Sequence, residues 1–466
     1  MFTAETYIAR RAKLCEKVGQ GLMLFMGNVD IACNYKDNTY HFRQDSTFLY
    51  LFGLKVAGIA ATLDAETGEA ILYMDELTMD DIIWMGPQPS VIDQASKVGV
   101  PKVMPTSKLA SVIEANKSRE IHFVPTYHGI TTMRIAELLG KSTAEVESGA
   151  SVKLIKALVS MREIKEQCEI DELRKHMAVG RELHMAAMTM AHEGRTEAEI
   201  MAMVSRISLM HGGPVSFPTI CTVHGETLHN HGYPNTLKKG QLLLVDAGSE
   251  SPLCYATDHT RTSPVGGKFT NQQKEIYQIV LDANNAVAAA CEPGLTYKEV
   301  HLMACRVIAS GLKELGIMKG DMNDAVMEGA HALFMPHGIG HMLGLDVHDM
   351  ESYNEVLVGY DDEVQKSTQF GLASLRLGKR LKEGFVVTDE PGIYFIPALI
   401  DKWKAEGIHK DFINFDALDA YRSFGGIRLE DDLLITRHGC ENLGERIPIE
   451  IDEVEAEVNK NRFSTL

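Results

Sequence analysis

The chain shows two kinds of hydrophobic pattern. Over its first 160 residues, short unbroken apolar runs at 21–26, 69–74 and 120–125 predict buried strands. Apolar positions at helical spacing lie between them, around 108–116 and 131–139. Strands interleaved with helices predict an α/β unit. The stretch 41–53 sets Arg43 and Asp45 beside Phe42, Phe48, Tyr50 and Phe52, and predicts a core strand entered through a polar turn.

From 153 to 192 the pattern is strongly helical, with Ile164, Cys168, Ile170 and Leu173 forming an apolar face among charges. Further helices are predicted over 196–211, over 270–291 and over 297–315, the last stopped by Gly316. Strand-like runs fall at 241–247, 253–264, 385–390 and 426–436. Helices mixed with hairpin-like strand pairs predict an α+β unit around an antiparallel sheet. The domain junction is therefore expected near residue 160, giving domains 1–160 and 161–466. The segment 352–384 is polar and weakly periodic, and reads as a long surface insertion.

A length of 466 residues fits two domains, and 45% hydrophobic with 24% charged residues describes a globular protein. The formal net charge of −18 argues against nucleic acid or an anionic membrane as partner. The start lacks a signal-peptide core, and no run reaches the ~20 apolar residues of a membrane span. Eight cysteines are scattered without a CxxC pair, as expected of reduced thiols in the cytoplasm.

The charge acquires meaning in the stretch 337–349, which holds His337, His341 and His348 with Asp346 and Asp349. Gly338 and Gly340 make a helix costly there, at roughly 1 kcal/mol each. An extended or looped backbone instead points His337 and His341 to one side. A glycine-rich loop with surface histidines is the alternative, and carboxylates elsewhere decide between them.

Asp246 follows four apolar residues, and Asp258 follows turn residues. A hairpin centred near Pro252 sets the two opposite one another, with Cβ atoms ~4.5–5.5 Å apart. Such a pair needs a cation or a shared proton. Glu390 ends a strand at a Pro-Gly turn. Glu430 shares a strand face with Arg428, where a surface ion pair is the plain alternative. Taken together, Asp246, Asp258, Glu390 and Glu430 with His341 supply four carboxylates and one imidazole. Four negative charges match two divalent cations, and an oxygen-rich set favours Mn²⁺, Co²⁺ or Mg²⁺ over sulfur-rich zinc sites. Two ions ~3.5–4 Å apart generate a bridging hydroxide and polarise a carbonyl. The chain has no His-Glu-x-x-His, Gly-x-Ser-x-Gly or P-loop, which disfavours a serine or single-zinc hydrolase.

Five ordered blocks resemble the pita-bread metallopeptidases: Val245-Asp-Ala-Gly248, Thr257-Asp-His-Thr-Arg-Thr262, His337-Gly-Ile-Gly-His341, Asp389-Glu-Pro-Gly392 and Gly426-Ile-Arg-Leu-Glu430. Phe42-Arg-Gln-Asp-Ser-Thr-Phe-Leu-Tyr50 is similar to the N-terminal domain of the aminopeptidase P and prolidase branch. The resemblance implies a pita-bread catalytic domain over 161–466 and an aminopeptidase P-type domain over 1–160. It also implies Asp246 chelating one metal, His341 and Glu390 holding the other, and Asp258 and Glu430 bridging. His229 falls near the scissile bond, while His337 and His348 line the substrate pocket. Arg428 supports a bridging carboxylate, and Glu390 also takes a proton from the attacking water.

The activity so implied is hydrolysis of the bond between an N-terminal residue and proline by a metal-bridged hydroxide. An Xaa-Pro aminopeptidase acting on longer peptides is preferred, with Xaa-Pro dipeptidase (prolidase) as the alternative using the same site. A metal-free creatinase-like or binding relative is the third option. Mn²⁺ is the expected metal, with Co²⁺ or Zn²⁺ as substitutes. The expected partners are a peptide with proline in second place and a second copy of the chain, as a homodimer or higher homo-oligomer.

Overall fold

The computed structural model describes residues 1–460. The backbone divides into two compact units: 1–162 with 351–357, and 163–350 with the chain from 358 onward. Among the described residues no helix is long and apolar enough to cross a membrane.

In the first unit, helix α1 (Ala4–Val18) precedes a five-stranded mixed sheet. Its strands are β1 (Leu22–Met26), β2 (Ala60–Asp64), β3 (Ala70–Tyr73), β4 (Lys102–Met104) and β5 (Ile121–His122), in the order β4-β3-β2-β1-β5. The strand predicted within 41–53 is a helix, α2 (Ser46–Phe52), with all seven residues buried. Asp45 caps it by accepting from the Phe48 N–H at 2.8 Å, and Gly53 closes it in the left-handed region at φ 62°. Aspartate and glycine bracketing one short apolar run are helix start and stop signals, and here they outweigh the β-preference of the aromatics.

The segment 153–192 divides into α3 (Val152–Arg162) and α4 (Gln167–Thr189). Between them, Glu163 accepts from Lys379 at 2.6 Å and from Lys382 at 2.7 Å, and Lys165 donates to Asp349 at 2.9 Å. Helices α5 (Glu197–Met210), α6 (Asn271–Ala290) and α7 (Tyr297–Glu314) each begin at a threonine in a capping box, with Glu199, Gln273 and Glu299 as the reciprocal partners.

The catalytic-unit strands are β6 (Ile220–Thr222), β7 (Leu242–Ala247), β8 (His259–Pro264), β9 (Val386–Asp389), β10 (Gly392–Tyr394), β11 (Gly426–Arg428), β12 (Asp431–Thr436) and β13 (Gly439–Asn442). They pair antiparallel as β8-β7-β6, β9-β12-β13 and β10-β11. Single bridges Thr260↔Glu430 and Met342↔Val387 join these pieces. The α+β antiparallel architecture is the expected one, but three local expectations are corrected.

First, Asp246 pairs with Thr260 across β7 and β8, so Asp258 is not opposite it. The bridge Glu250↔Ala256 places the turn centre at Leu253, one residue beyond Pro252, and moves the register by two. Both aspartates keep the same face, now as diagonal neighbours. Gly248 permits the narrow hairpin: a Cβ there would lie 1.7 Å from the Thr257 carbonyl oxygen.

Second, 426–436 is not one strand. It changes partner at Leu429 and Glu430, pairing with β10 before them and β9 after them. Arg428 and Glu430 are 3% and 2% exposed, which excludes a surface pair.

Third, 352–384 is not a surface insertion. Tyr353, Val358, Tyr360, Leu372, Leu375, Leu377 and Leu381 are buried, with residues 351–357 belonging to the first unit and the rest to the second. Short apolar residues at irregular spacing pack without a helical or strand period, so periodicity missed them.

Candidate active site

Strand ends supply the acidic side chains. Asp246 lies near the end of β7, Asp258 just before β8, Glu390 just after β9, and Glu430 between β11 and β12. The bridge from Thr260 to Glu430 is made by the Glu430 N–H donating to the Thr260 carbonyl at 3.0 Å, and the Thr260 hydroxyl donates to the Glu430 carboxylate at 2.8 Å. A second clamp aligns His341 with Glu390. The Thr388 N–H donates to the His341 carbonyl at 3.0 Å, and the Glu390 N–H donates to the Ile339 carbonyl at 2.8 Å. Gly340 allows this approach, since a Cβ there would stand 2.1 Å from the Thr388 carbonyl oxygen.

One cavity of about 430 Å³ collects every residue singled out from the sequence: His229, Asp246, Asp258, His337, His341, His348, Glu390, Arg428 and Glu430. Ligand atoms of Asp258, His341 and Glu430 lie within 4.8 Å of one another. The His341 Nε2 is 3.4 Å from Asp258 and 4.0 Å from Glu390. Its Nδ1 lies 3.0 Å from the Met342 carbonyl. A carbonyl can only accept, so Nδ1 carries the proton and the Nε2 lone pair faces the carboxylates. The His348 ring stacks on His341, centroids 3.7 Å apart.

These groups fit a metal centre. The Asp246 Oδ1 and Asp258 Oδ1 are buried with no hydrogen-bond partner. Burial, then neighbouring carboxylates, pushes Asp258 and Glu430 well above the ordinary carboxyl range. Glu390 is raised to about 6 by burial, against the pull of His341 and Arg428. Buried carboxylates crowded in this way require cations or protons, and orphaned oxygens beside an oriented imidazole lone pair could hold a metal ion. His301, Cys305 and His331 form a second metal-competent cluster elsewhere in the unit.

Arg428 is a positive group of the cavity, buried against its carboxylates. It donates to Asp246 at 2.6 Å, to the Thr260 hydroxyl at 3.1 Å and to the Tyr394 hydroxyl at 2.8 Å. Tyr394 Oη lies 2.9 Å from His337 Nε2, whose Nδ1 is 2.8 Å from the Gly338 carbonyl. Nδ1 must donate to that carbonyl, so Nε2 accepts from Tyr394. Burial, followed by Arg428, drives His337 down to about 3, consistent with a neutral ring. His229 is also held below its ordinary value, by partial burial and then Arg428. Asp389, beside Glu390, is pushed well above its ordinary range by burial and by Asp431 opposite it.

Four contributors were assigned no role from the sequence. Tyr394 links His337 to Arg428. Thr260 bridges Arg428 and Glu430. Arg261 donates to the Glu430 carbonyl at 2.7 Å and to Asp431 at 2.5 Å from a 1% exposed position. Arg376, from the supposed insertion, lines the cavity. Thr260 and Arg261 carried a usable signal, since both lie in the block Thr257-Asp-His-Thr-Arg-Thr262, and Arg261 is an arginine within a fully buried strand.

Comparison with known proteins agrees with this geometry. Residues 171–437 match metallopeptidase family M24, and residues 7–123 match the aminopeptidase P N-terminal domain. The Xaa-Pro dipeptidase of Homo sapiens is 32% identical over 97% of this chain and 92% of its own length. A probable Xaa-Pro aminopeptidase of Fusarium vanettenii is 32% identical over 91% and 89%. Among solved structures, Pseudomonas aeruginosa aminopeptidase PepP matches with a TM-score of 0.82 and 25% identity, covering 99% of each chain. A Zn-substituted Escherichia coli aminopeptidase P bound to product gives 0.81 and 27% over the same coverage. The folded architecture, the carboxylate-rich cavity and these matches over nearly the full length agree, and the chain belongs to metallopeptidase family M24.

Proposed function

We propose that this enzyme is an Xaa-Pro dipeptidase, cleaving the bond before a C-terminal proline with two divalent ions, Mn²⁺ in first place. The observation that favours the dipeptide over the longer peptide is Arg376 in the cavity wall. Its charge reaches Glu390, where it adds to the pull of His341 and Arg428. A dipeptide presents a free carboxylate one residue from the scissile bond, and a guanidinium is the natural partner for it. The longer substrate preferred from sequence has the likeness to aminopeptidase P structures in its favour, and Arg376 is the feature that tips the choice toward the dipeptide. Its test is direct: Arg376→Met is expected to raise KM for Ala-Pro about 10- to 100-fold, the size of a lost charge-assisted hydrogen bond. Turnover of Ala-Pro-amide should change little. Faster cleavage of Ala-Pro-Ala than Ala-Pro by the unmodified chain would restore the aminopeptidase assignment.

Asp246, Asp258, His341, Glu390 and Glu430 would hold the ions, with Asp258 and Glu430 central to the set. When bound, such ions acidify a water and polarise a carbonyl oxygen. Arg428 fixes Asp246 and, through Tyr394, fixes His337 in its neutral tautomer. Glu390, raised to about 6, is suited to receive the proton of the attacking water. His229 and His337, both held below the ordinary imidazole value, present polar edges to the substrate and to the charge that develops on its carbonyl.

The homodimer expected from resemblance is supported by the helix Met79–Met85 of the first unit. It buries none of its residues and leaves Trp84 86% exposed, beside exposed Ile83 and Met85. Sedimentation should show a dimer that Trp84→Arg weakens; a monomer in the unmodified chain would remove this part of the proposal. The lack of a disulfide among the described residues supports a reducing compartment, the cytoplasm.

A further inference from the structure

We propose that His301, Cys305 and His331 form a separate metal site for a soft monovalent cation, Cu(I), distinct from the carboxylate centre. His301 and Cys305 lie one turn apart on the buried face of α7, where i and i+4 side chains meet. His331 comes from the short 3₁₀ helix Ala330–Leu333. All three are at most 2% exposed, and their ligand atoms lie within 4.8 Å of one another.

The polar atoms of this cluster are not satisfied by protein. Both ring nitrogens of His331 and the Nδ1 of His301 are buried without a hydrogen-bond partner. The Val326 carbonyl influences His331 but completes no hydrogen bond with it. Within the cluster, the His301 and His331 rings meet edge to face with centroids 6.2 Å apart, and Cys305 Sγ lies 3.5 Å from His301 Nε2. Bonds of about 2.3 Å to sulfur and 2.0 Å to nitrogen place two ligands of one ion about 3.5–3.7 Å apart, so this edge already has a metal-site length. A buried, unmatched nitrogen is destabilising, and coordination through either ring nitrogen of His331 gives that atom the partner the protein does not supply.

Charge and ligand number select the metal. One thiolate and two neutral imidazoles carry a total charge of −1. A monovalent cation makes the site neutral, whereas Zn²⁺ would leave a net positive charge in the core. The groups acting electrostatically on the three are other histidines and Arg306, with no carboxylate among the described residues to offset such a charge. Zinc also requires a fourth ligand, while a thiolate with imidazoles is a soft set suited to Cu(I). On binding, the Cys305 S–H bond breaks, the S–Cu bond forms and the proton leaves to solvent; copper stays Cu(I) throughout.

The test uses the full chain in a Cys33→Ser background, which removes the exposed thiol, with Mn²⁺ present to fill the carboxylate centre. Cu(I) is titrated anaerobically against a colorimetric Cu(I) chelator. One retained Cu(I) per chain is expected, with a rise in melting temperature. Cys305→Ala should retain none and show no rise, while keeping its Mn²⁺-dependent turnover as evidence of folding. X-ray absorption on the Cu-loaded parent should show one sulfur and two imidazole nitrogens. Surrender of all copper to the chelator, equal retention by Cys305→Ala, or a copper environment without sulfur would each overturn the proposal. Zn²⁺ displacing Cu(I) from this position at one equivalent would overturn the choice of metal. In these failures the cluster is a buried thiol donating to an imidazole, and the carboxylate centre is untouched.

Discussion

Replacing Asp258 with asparagine, or Glu430 with glutamine, is expected to lower kcat at least about 10³-fold, equivalent to ~4 kcal/mol of barrier. Each change keeps the shape of the side chain and removes one negative charge from the centre of the cavity. The expected effect on folding is opposite in sign. Without metal, both carboxyls are held well above their ordinary range by burial and by neighbouring carboxylates. The folded chain then binds more protons than the unfolded chain, so metal-free stability falls as pH rises from the ordinary carboxyl pKa of ~4 through the raised folded values. Asparagine or glutamine removes that penalty. Metal-free Asp258→Asn should therefore melt above the metal-free parent at pH 7.5, and below the parent once Mn²⁺ is added. Turnover assays and melting curves with and without Mn²⁺ check both halves. Retained turnover in either variant would refute the central place given to these carboxylates, and a lower metal-free melting temperature would refute the crowding.

Arg261→Met is expected to destabilise the catalytic unit by ~3–5 kcal/mol, the cost of breaking a buried ion pair from one side. Arg261 donates to Asp431, to the Glu430 carbonyl and to the carbonyls of Thr260, Pro448 and Ile447. It holds Asp431 below its ordinary range against burial, assisted by Arg446. Methionine fills the volume but leaves that carboxylate short of one cation and four carbonyls short of a donor. Urea unfolding with Mn²⁺ present measures the loss, and metal affinity should fall with it because Glu430 loses its backbone anchor. A change below ~1 kcal/mol would show that Arg446 suffices for Asp431 and that the carbonyls find other donors.

Much of the local structure was legible in the chain itself. Threonines 196, 270 and 296 with a glutamate or glutamine three residues later start helices where they should, because a capping box depends only on neighbouring backbone. The five ordered blocks contain the carboxylates and the histidine that the fold brings into one cavity, because each block sets its polar side chain beside the turn or strand that presents it. The error at 41–53 was also local: Asp45 and Gly53 were available as caps, and the aromatics obscured them.

The sequence by itself determined which residue types were present for chemistry, where the capped helices at 196, 270 and 296 begin, and that the second unit is an antiparallel α+β fold. Only the tertiary structure decided which of those residues meet. The two-residue register of β7 against β8, the change of partner at Glu430 and the Tyr394 link from His337 to Arg428 all depend on contacts between distant segments. So does the meeting of His301 and Cys305 with His331, although the scattered cysteines suggested no ligand set. The physical reason is common to all four. Propensity, capping and turn chemistry act over a few residues, whereas pairing across a sheet or core is selected by the burial and hydrogen bonding of the whole unit.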